Sequence, residues 1–314
     1  MIQNNQNESM AFSMGSFVWW IGVVEDRLDP EKLGRVRVRI GGYHAADKGD
    51  IATNKLLWAY PMQPITSAAM NGLGEAPVGV VEGTWVVGFF RDGHNAHDPV
   101  IMGTLGGKPE SKDKNQGFND PNGVYPKDAY LGEPDTNRLA RNEKIEETIV
   151  QSKKDGVKVG VSLALGSGNW DEPETPYAAE YPYNHVKETE SGHVQEFDDT
   201  EGAERIHTYH KSGTFEEIHP DGTKVTKVVG ADYEIVLDGK NMHVTGNLNI
   251  TINGDANILV DGDCKSEVTG NKDEYIHGKY QLKVGGDLVM NAGGNSYLDG
   301  AQVHFNLPGP VPAF

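Results

Sequence analysis

The chain has 314 residues, a formal net charge of −18 and 39 glycines. Such an acidic balance argues against binding to nucleic-acid phosphates, which needs clustered lysine and arginine. No apolar run is long enough to cross a membrane as a helix, and the single cysteine, Cys264, excludes a disulfide within the chain.

Residues 1–16 are predicted to be a flexible N-terminal arm. They are not expected to be a Sec signal, because they lack its basic start and continuous apolar core. Residues 17–107 contain five β-like segments separated by Gly, Pro and Asp turns, which favours a small closed barrel such as the OB-fold. Residues 35–40 alternate arginine with Val or Ile, so the arginines share one strand face. We expect the pairs Trp19-Trp20 and Phe89-Phe90 to be split between the barrel core and its exterior.

Residues 108–184 are rich in Pro, Asn and charge, which predicts an extended linker. One short helix is possible between Asn137 and Lys153. The carboxylates of this segment do not suggest the acid–nucleophile pair of a glycosidase, since they lie on a solvated helix face or in a proline-rich stretch that fixes nothing in place. They are Glu143, Glu146, Glu147, Asp171, Glu172 and Glu174. No catalytic residue and no wall-degrading activity are expected.

Strand-like alternation resumes in a β neck, residues 185–221, which holds most of a histidine cluster. Its members are His193, His207, His210 and His219. Residues three apart in a strand point to opposite faces, so His207 and His210 cannot easily share a metal within one chain. A three-fold axis could still gather one histidine from each of three chains. The sequence predicts ordinary neck histidines, with no metal and no cofactor.

A glycine returns every eight residues over 222–294, and only the slot at Asp238 lacks one. Each octad is predicted to be one short strand and one sharp corner, where glycine permits an unusual φ or a close backbone approach. The predicted corners are Gly222, Gly230, Gly246, Gly254, Gly262, Gly270, Gly278, Gly286 and Gly294.

A β-branched residue precedes most of these slots by two positions, on the strand face predicted to point inward. These residues are Val228, Val236, Val244, Ile252, Val260, Val268, Ile276 and Val284. A β-prism with an apolar axis fits such octads, wound either from one chain as a solenoid or from three chains. Three are favoured, because one octad is short for a full three-sided coil. The predicted fold class is therefore all-β, with an N-terminal OB barrel, a linker and a C-terminal trimeric intertwined β-helix.

Residues 295–314 leave the octad pattern, and three prolines near the end forbid a further paired strand. The apolar end of a prism needs a cover. We predict that Phe305, Leu307 and Phe314 contact a separate tip protein, with self-capping by the same residues as the alternative.

Several motifs, in order, resemble the central baseplate spike proteins of T-even-like contractile phages, and the last two are also similar to VgrG secretion spikes. They are residues 20–39, 63–70, 81–84, 117–126, 191–200 and 211–214. The resemblance implies an OB barrel joined to a trimeric β-helix at the centre of the tail baseplate. It implies docking of the barrel on a trimeric tail hub, a PAAR-type tip protein, and transient passage through the host outer membrane when the sheath contracts. Such a spike would be assembled in the host cytoplasm.

One departure from that family is the spacing between barrel and neck, where 77 residues (108–184) stand in place of a lysozyme domain. A lysozyme of that type needs roughly twice the length. The alternatives left open are a VgrG-like secretion spike, a divergent cell-wall hydrolase and a trimeric adhesin or tail fibre. The barrel at the N-terminus argues against the first, since VgrG fuses hub-like domains ahead of it, and the barrel motifs argue against the last.

Overall fold

The computed structural model of the chain describes residues 17–145, 149–150 and 160–304. The arm at 1–16, the tip residues Phe305, Leu307 and Phe314, and part of the predicted helix lie outside these ranges. The described regular structure is nearly all β. Its elements are β1 (Val18–Asp26), β2 (Val36–Ile40), β3 (Trp58–Pro61), β4 (Trp85–Phe90), β5 (Pro99–Leu105), α1 (Arg138–Arg141), β6 (Val161–Ser162), β7 (Asn169–Trp170), β8 (Asn184–Glu188), β9 (Val194–Asp198), β10 (Arg205–Tyr209), β11 (Phe215–Ile218) and β12 (Lys224–Lys227).

The first five strands close into a barrel in the order β1-β2-β3-β5-β4, with β4 pairing back to β1. Only β3 and β5 run parallel. A glycine is required at Gly88 of β4, because an added Cβ would lie 2.1 Å from the Val100 carbonyl oxygen and 2.3 Å from the Trp20 ring. The predicted five-stranded barrel is confirmed.

The barrel core follows the alternation read from the sequence. Trp20 and Phe90 are buried in it, whereas Trp19 is 56% exposed and Phe89 is half-buried. The remaining core residues are Val24, Val36, Val38, Ile40, Ala59, Val86 and Ile101. The two aromatic pairs are therefore split between core and exterior as predicted.

Arg39 alternates with the core residues Val38 and Ile40, and its own side chain is completely buried. It donates to both carboxylate oxygens of Glu25, at 2.6 and 3.1 Å, and to the carbonyl of Ile51 at 2.8 Å. Glu25 in turn accepts from the Thr53 hydroxyl and from the backbone N–H of Phe118. Burial of the arginine is tolerated because Glu25 of β1 pairs with it and the segments that carry Ile51, Thr53 and Phe118 add hydrogen bonds to the pair.

The segment that leaves the barrel is packed against it. The Phe118 ring stacks on Trp85 with 6.4 Å between centroids, and Asp120 accepts three backbone N–H groups, including those of Val124 and Tyr125. Further along, α1 is only four residues long, and Asn137 caps it by accepting from the Leu139 N–H. This part of the linker is therefore packed.

Strands β8 to β12 form an antiparallel meander in the order β12-β11-β10-β9-β8. This neck sheet continues to Lys227, beyond the boundary at residue 221 drawn from the repeat, because β12 pairs with β11 from Lys224 to Lys227. Gly222 lies in the hairpin turn between them, with φ +82° and its N–H donating to the His219 carbonyl. The first glycine of the series thus belongs to the neck.

The chain divides into two compact units, one made of residues up to 161 with 170–246, and the other of 162–169 with the residues from 247 onward. Residues 228–246 belong to the first unit and residues 247–304 to the second. Within the described chain, residues 228–304 form no β-ladder. They bend every eight residues. The bends fall at 229–230, 237–238, 245–246, 253–254, 261–262, 269–270, 277–278, 285–286 and 293–294.

Candidate functional site

The octad segment carries many exposed apolar side chains. The residues predicted to form the axis range from 39% exposed at Val228 to 57% exposed at Ile252. Other apolar side chains there are more exposed still, such as Leu237 at 97% and Ile258 at 89%. Exposed apolar side chains in such number are typical of an interaction surface.

The glycines at the bends have no explanation within one chain. From Gly230 to Gly294, an added Cβ at each predicted corner would meet no atom within 4 Å. None of these glycines has a φ in the left-handed region. Neither steric crowding nor backbone conformation of the single chain therefore requires glycine at these positions.

A buried charge network lies on one face of the neck sheet. Glu196 is fully buried, and its carboxylate accepts from Arg205 Nη2 at 2.7 Å and lies 2.6 Å from His207 Nδ1. Arg205 Nη1 donates to Glu217 at 2.9 Å, and Glu217 also accepts from the Thr175 hydroxyl. Three strands, β9, β10 and β11, are joined by this network through their side chains.

The protonation of Glu196 is controlled by opposing effects. Burial raises its pKa, but the bond to His207, the charge of Arg205 and the hydrogen bond from Asn184 together hold the pKa below its usual range. The Glu196 carboxylate is therefore the negatively charged centre of the network. An apolar cluster lies beside the network. That cluster is Leu139, Val150, Tyr177, Ala179 and Val194.

Tyr177 connects the linker to this network. Its ring lies 5.0 Å beneath the Arg205 guanidinium, its hydroxyl donates to the Leu139 carbonyl at 2.6 Å, and burial raises its pKa. The linker thus forms the lid of the charged neck face. The sequence contains a signal for this arrangement, since charged residues of β9 and β10 recur at alternate positions with Phe197 and Ile206 between them.

Barrel, linker and neck meet at the carboxylate of Glu190. Arg27 of the barrel donates to both its oxygens, at 2.6 and 2.9 Å, and the Tyr125 hydroxyl donates to it at 2.6 Å. Hydrogen bonds from Arg27 and then Tyr125 lower the pKa of Glu190 to about 2. The bond to Glu190 raises the pKa of Tyr125 to about 12. Arg27 also pairs with Glu82 at 3.2 Å. One arginine therefore contacts a barrel carboxylate, Glu82, and a neck carboxylate, Glu190.

The neck histidines lie in three different surroundings. His207 is enclosed beside Glu196, His193 and His210 face each other with 4.4 Å between ring centroids, and His219 Nε2 lies 3.4 Å from Glu217. Within the described ranges, no three or more His, Cys, Asp or Glu side chains are placed to hold a metal ion.

The linker carboxylates are also separated. Glu143 is exposed beside Arg141, and Glu172 pairs with Lys227 at 2.7 Å. Glu146 and Glu147 lie outside the described residues.

Among the helices that the structure describes, none has both the length and the apolar character needed to cross a membrane.

Comparison with known proteins agrees with this architecture. Residues 42–191 match the family model of the Gp5 N-terminal OB domain. A protein named Gp5 from Vibrio phage KVP40 is 51% identical over 272 residues, covering 77% of this chain and 64% of the relative. Over most of its length, the chain is similar in sequence to a phage Gp5 protein. The pre-baseplate central spike protein Gp5 of Enterobacteria phage T4 is 45% identical over 151 residues, covering 46% of this chain and 24% of that protein.

The resemblance to the T-even-like spike proteins is thereby confirmed, as is the OB fold. The chain spans less than two thirds of the length of either Gp5 relative. The Gp5 OB match ends at residue 191, well past the last barrel strand. It therefore takes in the segment that carries Phe118, Asp120, Tyr125 and Glu190, which the structure packs between barrel and neck.

Proposed function

We propose that this chain is the structural central spike of a contractile phage tail, located in the virion at the centre of the baseplate. The observation that carries the proposal is the octad segment, whose apolar residues are uncovered and whose glycines are unexplained in one chain. The Gp5 relatives support it, one of them being named as a pre-baseplate central spike protein.

The spike would be a homotrimer. Three octad segments wound together give every strand a ladder partner and bring backbones close at the corners, which glycine alone allows. The β-branched residues from Val228 to Val284 would then meet along the axis. Intertwined chains cannot separate without breaking many ladder hydrogen bonds at once, which gives the kinetic stability that axial loading demands.

The remaining parts would serve the same machine. The barrel would dock on a trimeric tail hub, and Phe305, Leu307 and Phe314 would carry a PAAR-type tip protein. On sheath contraction the spike would pass transiently through the host outer membrane after assembly in the host cytoplasm. It would act without a cofactor, a metal or a nucleic-acid partner, and it would not be an enzyme.

The first test is the absolute mass of the purified full-length chain by light scattering. Three chains of 34.2 kDa give about 103 kDa, which is the expected result. A mass of one chain at all concentrations would contradict the trimer and leave the octads to a single-chain solenoid. The same measurement repeated in 0.15 and 1 M salt shows whether the assembly depends on screened surface charge.

A further inference from the structure

The barrel carries two uncharged apolar surfaces with exposed side chains in the single chain, although Phe17 packs on Trp19 and Phe89 of the first. The first is a face made by the outward residues of β1, β4 and β5, here called the Trp19 face. Trp19 and Ile21 are 56% and 49% exposed, and Met102 is 38% exposed. Val87 and Phe89 complete it, because Trp19 pairs with Phe89 and Ile21 with Val87 across the β1–β4 ladder. A register shift beside Val87 is what turns Met102 outward.

The second surface is the loop after β3, residues 62–74, here called the barrel loop. It contains no charged residue although charged residues make up 24% of the chain. Ile65 is fully exposed, and Leu73 and Met70 are 68% and 63% exposed. These side chains therefore do not lie on the Trp19 face of their own chain.

The barrel loop is rigidly built. The Ser67 hydroxyl accepts from the Glu75 N–H at 3.0 Å, and Leu73 N–H donates to the Met70 carbonyl at 2.8 Å. Gly74 has φ +99°, and an added Cβ there would lie 2.5 Å from Ser67 Oγ. A loop already fixed in shape loses little entropy when it binds, so it is suited to present its apolar tip to a partner.

We propose that the barrel loop of one chain docks on the Trp19 face of a second copy, which makes a ring of three barrels. Two copies of a chain with net charge −18 repel each other, so contact costs least where both surfaces are uncharged. The barrel is closed and offers no edge for strand addition. Loop and face are different surfaces of the same domain, and such a head-to-tail contact closes into a ring when its rotation is three-fold. This inference rests on the proposed trimer.

The test is site-specific photocrosslinking of the full-length chain, without any hub protein. Ile65→p-benzoylphenylalanine should give covalent dimers and trimers on a denaturing gel, with crosslinked peptides that contain Trp19, Ile21 or Met102. The matched control places the same group at Leu28, which is 81% exposed on the barrel but outside both surfaces, and should give single chains. Adding Ile21→Lys to the Ile65 variant should reduce the crosslinked fraction at least tenfold while the mass stays at three chains.

Three outcomes would overturn the inference. A trimer without interchain crosslinks from position 65 would reject the contact and leave the proposed function standing. Crosslinks that form only after a trimeric hub protein is added would assign the barrel loop to that partner. A monomeric mass would reject the trimer itself, and with it both proposals.

Discussion

At the residue scale, the chain places several charged groups where water cannot reach them, and these groups lie beside oppositely charged side chains. Glu25 and Arg39 are the clearest case, since the side chains of both are completely buried. A buried pair of this kind contributes little net stability over an apolar pair, but the loss of one partner leaves an uncompensated charge.

Glu25→Gln should therefore destabilise the barrel by about 3–5 kcal/mol. Glu31→Gln removes a partner of Arg35 that is two-thirds exposed, and it should cost less than about 1 kcal/mol. Denaturant unfolding followed by tryptophan fluorescence reports the difference, because Trp20 lies in the same core. Equal losses in the two variants would show that burial of the pair does not decide its role.

The junction at Glu190 gives a pH-dependent prediction. The charged carboxylate favours the protonated phenol of Tyr125, whose pKa it raises from 10.0 to about 12. Glu190→Gln should bring that pKa back toward 10, so the phenol ionises at lower pH in the variant. NMR of chains labelled at the tyrosine ring carbon measures this, with Glu188→Gln as a neighbouring control. An unchanged Tyr125 titration would contradict the hydrogen bond.

At acidic pH, the titrating group of this junction is Glu190, whose pKa is lowered rather than raised. The pKa of Glu190 is lowered from 4.5 to about 2 in the folded chain, so its contribution to stability is complete above pH 4.5 and is lost as pH falls toward 2. Glu190 is nearly half exposed, so the contribution is small.

At the element scale, the octads and the barrel strands differ in where their partners come from. The alternation of apolar and charged residues in β2 is enough to predict this strand, because Val36, Val38 and Ile40 all face the barrel core of the same chain. The octads have a comparably regular pattern and still form no ladder in the described chain. In the proposed trimer, their hydrogen-bond partners would belong to the other two chains. A glycine substitution distinguishes a single-chain coil from three wound chains.

Gly262→Ala tests this point. In one chain the new methyl group meets nothing within 4 Å and the φ is an ordinary one, so the change should be neutral or stabilising by about 0.4–1 kcal/mol. In an intertwined trimer it should instead lower the melting temperature, because a second backbone passes the corner. Gly239→Ala is the matched control, since Gly239 is outside the series and equally uncrowded in one chain. Melting temperatures that do not separate the two variants would argue against three wound chains.

At the scale of the whole molecule, sequence reasoning succeeded where local periodicity decides the structure. The barrel followed from alternation and turns, and the relationship to Gp5 followed from motifs such as residues 20–39. Sequence reasoning did not predict features that depend on contacts between residues far apart in the chain. The burial of Arg39 depends on Glu25 and on loops that close over it, and the lid over Arg205 depends on Tyr177, almost thirty positions earlier in the chain. No local pattern encodes those pairings.

The hydrogen bond from the Phe118 amide to Glu25 changes where the first domain ends. A fragment stopped at residue 107 would keep all five barrel strands, yet it would remove one donor from the buried carboxylate and uncover the Trp85 ring. During synthesis, the same bond cannot form until the ribosome has released residue 118, so the barrel stays unfinished after its last strand has emerged. The smallest piece that can be cut out whole therefore includes the segment that follows the barrel.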